Sequence, residues 1–369
     1  MCKCANNQYP AVSTSIAPAN PNTQTLKHPN PFLCPSPIRN NSKIDFLSGA
    51  FFDILTLMVK REPEINWNVR NRDFKYYIFD WDDNILHMPT RIHLEHLDDD
   101  GVWREVSVST GTFALVRKDT GRWREPANGG RKAAFRDFQD SGTGQTTKKF
   151  LEDCRQAIKR VLDGEKPGPS FNTLKKTLCE GRIFAIVTAR GHEPETLKQA
   201  VRLFIAAVLS PEERKKMMAS LRGYRAWLDK CTEFGTDEEE MEYYLSMCRF
   251  HAVTSDKFKA MLEANVEFGG KYRKASASHR PEVAKEFAIH DFTDHLFNML
   301  RRTGGMGKTV AVGFSDDDTG NVSAVSDFIK AELSRHYPGF KFVVYDTSDP
   351  SLTNGRKVCV AGQMNLPGF

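Results

Sequence analysis

The chain lacks any apolar run long enough to cross a bilayer. Its longest, Leu203–Leu209, falls far short of the roughly 20 residues that a spanning helix needs. It also lacks a Cys-x-x-Cys pair and any zinc-ligand spacing. The eight cysteines, Cys2, Cys4, Cys34, Cys154, Cys179, Cys231, Cys248 and Cys359, are scattered. In a chain of this length that pattern excludes a disulfide scaffold and implies reduced thiols in an intracellular, cytoplasmic setting. Acid is absent from the first 44 residues, where Lys3, Lys27, Arg39 and Lys43 supply most of the net charge of +5. From Asp45 onward the charge is nearly balanced. A basic stripe of the kind that tracks a phosphate backbone is therefore missing, and nucleic acid is not supported as a partner by the charge of the core.

What remains is ample for a folded core: 369 residues, 40% hydrophobic and 11% aromatic, enough for two or three domains or one large domain with insertions. Residues 1–43, rich in Pro, Asn, Ser and Thr without apolar periodicity, read as a disordered basic arm. An organelle transit peptide within that arm is the alternative, although it holds one arginine and no amphipathic helix. Residues 44–72 read as an N-terminal helical extension. Leu47, Phe51, Ile54, Leu55 and Met58 recur there at helical spacing, and the polar face is not basic enough for a membrane surface.

From residue 73 to 369 strands alternate with helices. Apolar strand-like runs fall at Tyr76–Phe79, Ile183–Val187, Phe250–Val253, Thr309–Phe314 and Phe342–Tyr345, with helical periods at Glu193–Leu209 and Val322–Leu333. Short continuous strands separated by helices predict an α/β fold, a Rossmann-like parallel sheet covered by helices on both faces. Its ligand site should lie at the carboxyl ends of the strands. Two stretches break the alternation. Residues 88–150 suggest β-hairpins at Arg91–Leu97, Val102–Val108 and Phe113–Lys118, hence a β-rich insertion after the first strand. Residues 211–247 suggest a charged helical insertion, in which the acidic run Asp237–Glu240 reads as a solvated helix start.

The first strand ends in Asp80, Asp82 and Asp83. Aspartate is a poor strand former, and two carboxylates about 4 Å apart repel by roughly 4 kcal/mol at an effective dielectric of about 20. A divalent cation between them, or a division of labour between nucleophile and proton carrier, makes that cost tolerable; a solvated turn is the plain alternative. The second strand ends at Thr188, followed by Ala189 and Arg190. The fourth ends in Asp316, Asp317 and Asp318, and Lys285 lies upstream in the first turns of a helix. Taken singly, Thr188 could end a strand, Lys285 could be a solvated lysine and the late aspartates could cap a helix. Gly304–Thr309 ends like a P-loop, but Arg302 stands where that motif needs glycine, and a strand follows it; it reads as a glycine turn.

In this order the four segments resemble the haloacid dehalogenase (HAD) superfamily, in its phosphatase-like branch, over roughly residues 74–346. The resemblance implies a Mg²⁺-dependent phosphatase that hydrolyses a phosphate monoester through an aspartyl-phosphate, with the insertion at 88–150 as a cap. It implies Asp80 as nucleophile, Asp82 as acid and base, Thr188 with the main chain of Ala189 and Arg190 as phosphoryl-binding groups, and Lys285 as the stabilising cation. It implies a metal site formed by Asp80, Asp82 (through its carbonyl), Asp316 and Asp317. Lys274 rivals Lys285, and Asp318 rivals Asp317. Hard oxygen donors without His or Cys select Mg²⁺ over zinc. Asp83-Asn84 depart from the family's usual Gly-Thr after the second acid.

An acid at position 82 suits ester hydrolysis or phosphoryl transfer rather than carbon–halogen cleavage. Substrate choice is expected from Trp103, Arg104, Trp123, Arg124 and Arg131 in the insertion, which are otherwise ordinary hairpin residues. The expected partner is a phosphorylated small molecule or nucleotide. The alternatives are a polynucleotide-end phosphatase of the same superfamily and a catalytically silent HAD-fold interaction module.

Overall fold

The computed structural model describes residues 74–138, 144–276, 279–303 and 309–362. The expected arm (1–43), the helical extension (44–72) and the glycine turn at 304–308 lie outside the described residues.

In chain order the elements begin with β1 (Phe74–Phe79), β2 (Ile92–Leu97), β3 (Trp103–Val108), α1 (Thr110–Val116), β4 (Trp123–Arg124) and α2 (Gly130–Ala134). Then come α3 (Gly144–Leu162), α4 (Phe171–Cys179), β5 (Phe184–Thr188), α5 (Pro194–Val208), α6 (Pro211–Asp229) and α7 (Asp237–Met247). The remainder is β6 (Arg249–Ala252), α8 (Asp256–Ala264), α9 (Val266–Lys274), α10 (Arg280–Thr303), β7 (Val310–Asp316), α11 (Thr319–Phe328), β8 (Phe340–Asp346) and β9 (Arg356–Ala361).

Six strands form one sheet in the order β6-β5-β1-β7-β8-β9, parallel except for β9 at one edge. The chain starts in the middle of the sheet, builds outward to β6, then crosses β1 to lay down β7 and β8. This is a Rossmann-like arrangement, and its topological switch point, where a ligand crevice belongs, lies between β1 and β7. The strands are buried on both faces at β5, where Phe184–Thr188 has no exposed residue, as the uninterrupted apolar run predicts.

Register then fixes heights. Phe79 pairs with Ser315 across β1–β7, so Asp80 follows level with Asp316, and the Asp80 N–H donates to the Ser315 carbonyl at 3.1 Å. Phe79 pairs with Ile186 across β1–β5, which brings Thr188 to the neighbouring rung.

The segment after β1 is only partly β. β2 pairs antiparallel with β3 and β4 in a small three-stranded sheet with its own apolar cluster, Ile92, Leu94, Val108 and Ala134. The expected strand at Phe113–Lys118 is instead helix α1. Its cause is local: the Ser109 hydroxyl caps the helix by accepting from the Thr112 N–H, and Phe113 packs edge-on against Phe135. Residues 144–150, placed by the sequence in the insertion, open α3, whose Phe150, Leu151 and Cys154 enter the main core.

The charged helices α6 and α7 also belong to the main core. Met217, Leu221, Tyr224 and Leu228 form a buried stripe, and the Tyr224 hydroxyl lies 2.7 Å from that of Tyr76 on β1. The acidic run does start a helix, capped reciprocally by Thr236 and Glu239. Its last member, Glu240, is buried rather than solvated and meets Arg225 at 2.5 Å. Among the described residues no helix is long and apolar enough to cross a membrane. The five cysteines described are buried and free.

Candidate functional site

Three strand ends and one helix bring the sequence-selected residues together. Asp80 and Asp82 leave β1, Thr188 ends β5, Asp316 ends β7 and Asp317 follows it; all five are buried. Lys285, in the second turn of α10, reaches them across the sheet. Its Nζ lies 3.1 Å from Asp80 Oδ1 and 2.5 Å from Asp316 Oδ2. Lys274, the rival lysine, stands exposed in the last turn of α9.

One lysine does not neutralise this cluster. Burial pushes the Asp80 carboxyl well above its ordinary range; Lys285 opposes that, but the charges of Asp316 and Asp82 add to it. Asp317 is likewise pushed well up by burial and by Asp80, Asp316 and Asp83. Among the described residues Asp317 accepts no hydrogen bond and forms no ion pair, and the more distant Lys285 ammonium only partly offsets its charge. Burial alone would lower the Lys285 ammonium, yet Asp316 and Asp80 outweigh it and raise it. Asp318 is already committed. Its side chain caps α11 through the Gly320 N–H at 2.8 Å and pairs with Arg117 at 2.8 Å.

Asp82 is held by a residue whose sequence role was assigned to its main chain. The Arg190 guanidinium forks onto it, Nη2 to Oδ1 at 2.7 Å and Nε to Oδ2 at 3.1 Å. Arg190 also donates to the Thr90 hydroxyl at 2.5 Å and lies over the rings of Phe138 and Phe150. The Thr188 hydroxyl is 3.5 Å from Asp82 Oδ2 and accepts from the Arg190 N–H at 3.3 Å. The fork fixes the plane of the Asp82 carboxylate and leaves a free lone pair on Oδ1.

The departure at Asp83-Asn84 has a structural account. Asp83 sits in the left-handed region at φ 55°, which aspartate tolerates better than most residues. Its carboxylate accepts from the Thr110 hydroxyl at 2.7 Å and the Gly111 N–H at 2.9 Å, and meets His87 at 2.8 Å. Burial works against the charge, but these hydrogen bonds and His87 outweigh it and hold the carboxyl at about 2. Asn84 is fully buried; its amide donates to the Asp80 and Ser315 carbonyls at 2.9 and 3.2 Å and accepts from Thr347 at 2.9 Å. It ties the ends of β1, β7 and β8 together. Thr110, Gly111, Ser315 and Thr347 carried no sequence signal, because their roles exist only through these long-range contacts.

Gly111 has a steric reason to be glycine: a Cβ there would stand 2.9 Å from Asp317 Oδ2. The segment after β1 therefore meets the acids at the start of α1. Trp103 and Arg104 lie elsewhere, at the turn end of β2–β3, so the structure does not gather them with the acids. Arg104 pairs with Asp98 and Asp100, and Trp103 lies 3.9 Å beneath Arg124. Arg131 covers Phe135, and Trp123 meets His96.

Among the described residues no three carboxylate, imidazole or thiol groups form a ready coordination set, and Lys285 bridges Asp80 and Asp316. The donor chemistry nonetheless suits a hard cation: buried oxygen ligands, an excess of negative charge, and an unpartnered Asp317. Such an array can present a carboxylate nucleophile, a second carboxylate for proton transfer and a cationic face to an anion. No family model, no curated protein and no solved structure matches this chain.

Proposed function

We propose that this chain is a phosphomonoesterase of the haloacid dehalogenase type. The observation that carries the reading is Lys285 shared by Asp80 and Asp316 while Asp317 has no ion pair of its own. That imbalance suits a phosphate ester accompanied by Mg²⁺, which Asp80, Asp316, Asp317 and the Asp82 main-chain carbonyl would hold. When bound, Mg²⁺ would supply Lewis-acid charge to offset the phosphoryl oxygens.

An oxygen of Asp80 attacks phosphorus, the bond to the ester oxygen breaks, and Asp82 donates its proton to that oxygen. In the second step Asp82 takes a proton from water as the water oxygen attacks phosphorus, releasing Asp80 and inorganic phosphate. Lys285 keeps Asp80 in line, and Thr188 offers a hydroxyl to a phosphoryl oxygen. Arg190 is a positioning residue: its fork orients the Asp82 carboxyl for both steps. The segment between β1 and α3 acts as a cap, joined to the acid-bearing loop where Thr110 and Gly111 donate to Asp83.

The test is a panel of phosphate monoesters assayed with Mg²⁺ and with EDTA, on the native chain and Asp80→Asn. Turnover should require Mg²⁺ and fall to background in Asp80→Asn. Equal turnover by the variant, or undiminished activity in EDTA, overturns the reading.

A further inference from the structure

A second feature lies on one face of the sheet, apart from the carboxylate cluster. Successive rungs there read Lys75–Ala311–Lys341, then Tyr77–Gly313–Val343, then Phe79–Ser315–Tyr345, with Lys357 beside Tyr345 on β9. Beside α4 a trough of about 540 Å³ opens over this face, bordered by Lys75, Tyr77, Lys176, Tyr345 and Lys357. A second hollow of about 280 Å³ continues it over Gly313 to Lys341.

Shape and charge point to the same kind of ligand. A Cβ on Gly313 would lie 3.1 Å from the Tyr77 ring and 3.6 Å from that of Tyr345. The missing side chain thus leaves a flat floor between two half-buried aromatic rings. Lys75, Lys341 and Lys357 have no ion-pair partner among the described residues, and Lys176 is 4.0 Å from its nearest acid. The trough's acid, Glu180, is paired with Arg182. The near-neutral total charge of the core averages this local excess away. Aromatic rings accept any flat base, lysines accept phosphate as point charges, and the volume lies within the roughly 300–1,000 Å³ of ordinary ligand sites.

We propose that this trough binds a nucleotide, free or within a single strand, with the base against Tyr77 and Tyr345 and the phosphate on Lys75, Lys341 and Lys357. The probe is a fluorescein-labelled ten-residue oligothymidylate, followed by anisotropy on the full chain, with AMP and inorganic phosphate as competitors. On the oligonucleotide, where each of the three lysines can meet a separate phosphate, the slope of log K against log salt should be about −2. Lys75→Glu combined with Lys357→Glu, both at exposed positions, should weaken binding by about tenfold or more. Gly313→Val should do the same by filling the floor, and Asp80→Asn should leave binding unchanged.

Competition by AMP identifies the free nucleotide as sufficient, whereas binding of the oligonucleotide alone identifies the strand; both agree with the proposal. Three results overturn it: no binding, binding indifferent to the lysine reversals, or inorganic phosphate competing as well as AMP. Thermal melts establish folding of each variant. If Gly313→Val fails to fold, the surface lysine reversals decide the outcome alone. Loss of binding in Asp80→Asn places the ligand at the carboxylates and also overturns the proposal.

Discussion

Replacing Lys285 with methionine removes one ammonium and almost nothing else, because methionine fills much of the same volume. What it leaves is Asp80 and Asp316, both buried and facing each other across β1 and β7 without the charge that bridged them. Removing one partner of a buried ion pair costs about 3–5 kcal/mol. For a domain of this size, about 2 °C per kcal/mol gives a fall of roughly 6–10 °C in melting temperature. The loss should depend on pH in a definite direction. Asp80 already has a raised value, and without Lys285 it rises further. A carboxyl raised on folding favours the folded state at low pH and loses that contribution as pH rises through its folded value. The deficit of Lys285→Met should therefore be smaller at pH 5 than at pH 8. A second substitution sharpens the argument: Lys285→Met with Asp316→Asn removes the repulsion along with the pair, so the double variant should be more stable than the single one. Urea unfolding in EDTA, followed by circular dichroism at both pH values, measures all of this. The reasoning is refuted if Lys285→Met loses under about 1 kcal/mol at both pH values, or if Asp316→Asn deepens the loss.

Two further outcomes follow from the same cluster. Mg²⁺ should raise the melting temperature more at pH 8 than at pH 5, because Asp80 and Asp317 have raised values and must lose protons to bind a cation; at 100 times its Kd the ion would add about 2.7 kcal/mol, and a larger shift at pH 5 contradicts the assignment. Gly111→Val should destabilise the fold by about 1–3 kcal/mol, since its Cβ would press on Asp317 and part α1 from Asp83; a thermal melt matching the native chain shows that the contact yields freely.

Much of the α/β frame was legible because parallel strands buried on both faces read as unbroken apolar runs. Phe184–Thr188 is such a run and Val310–Asp316 nearly so, with Ala311 and Gly313 facing the trough, and the polar ends of both meet at the candidate site. Lys285 was legible through its place in a helix upstream of β7. The helix at Thr110–Val116 was not, because seven residues with mixed polarity resemble a hairpin strand, and the deciding Ser109 cap is a weak signal. The core role of α6 was hidden by its charge, although Met217, Leu221, Tyr224 and Leu228 do recur at helical spacing. The grip of Arg190 on Asp82 could not be read at all: the two residues are 108 apart in sequence and meet only through the register of β1 and β5.

That reliance on register reaches into how the chain acquires its site. Asp80 and Lys285 are 205 residues apart, and Asp82 and Thr188 are 106 apart. Each junction closes a long loop before any local contact rewards it, which makes assembly slow relative to a helical bundle. A growing chain halted before α10 carries Asp80 and Asp82 without the ammonium of Lys285, and one halted before β7 also lacks Asp316. A one-residue slip of β7 against β1 would set Ser315 or Asp317 at the height of Asp80 and turn Asp316 to the other face. Recovery of the carboxylate cluster on refolding therefore reports closure of the whole sheet in a single alignment, and no shorter stretch of the chain can stand in for it.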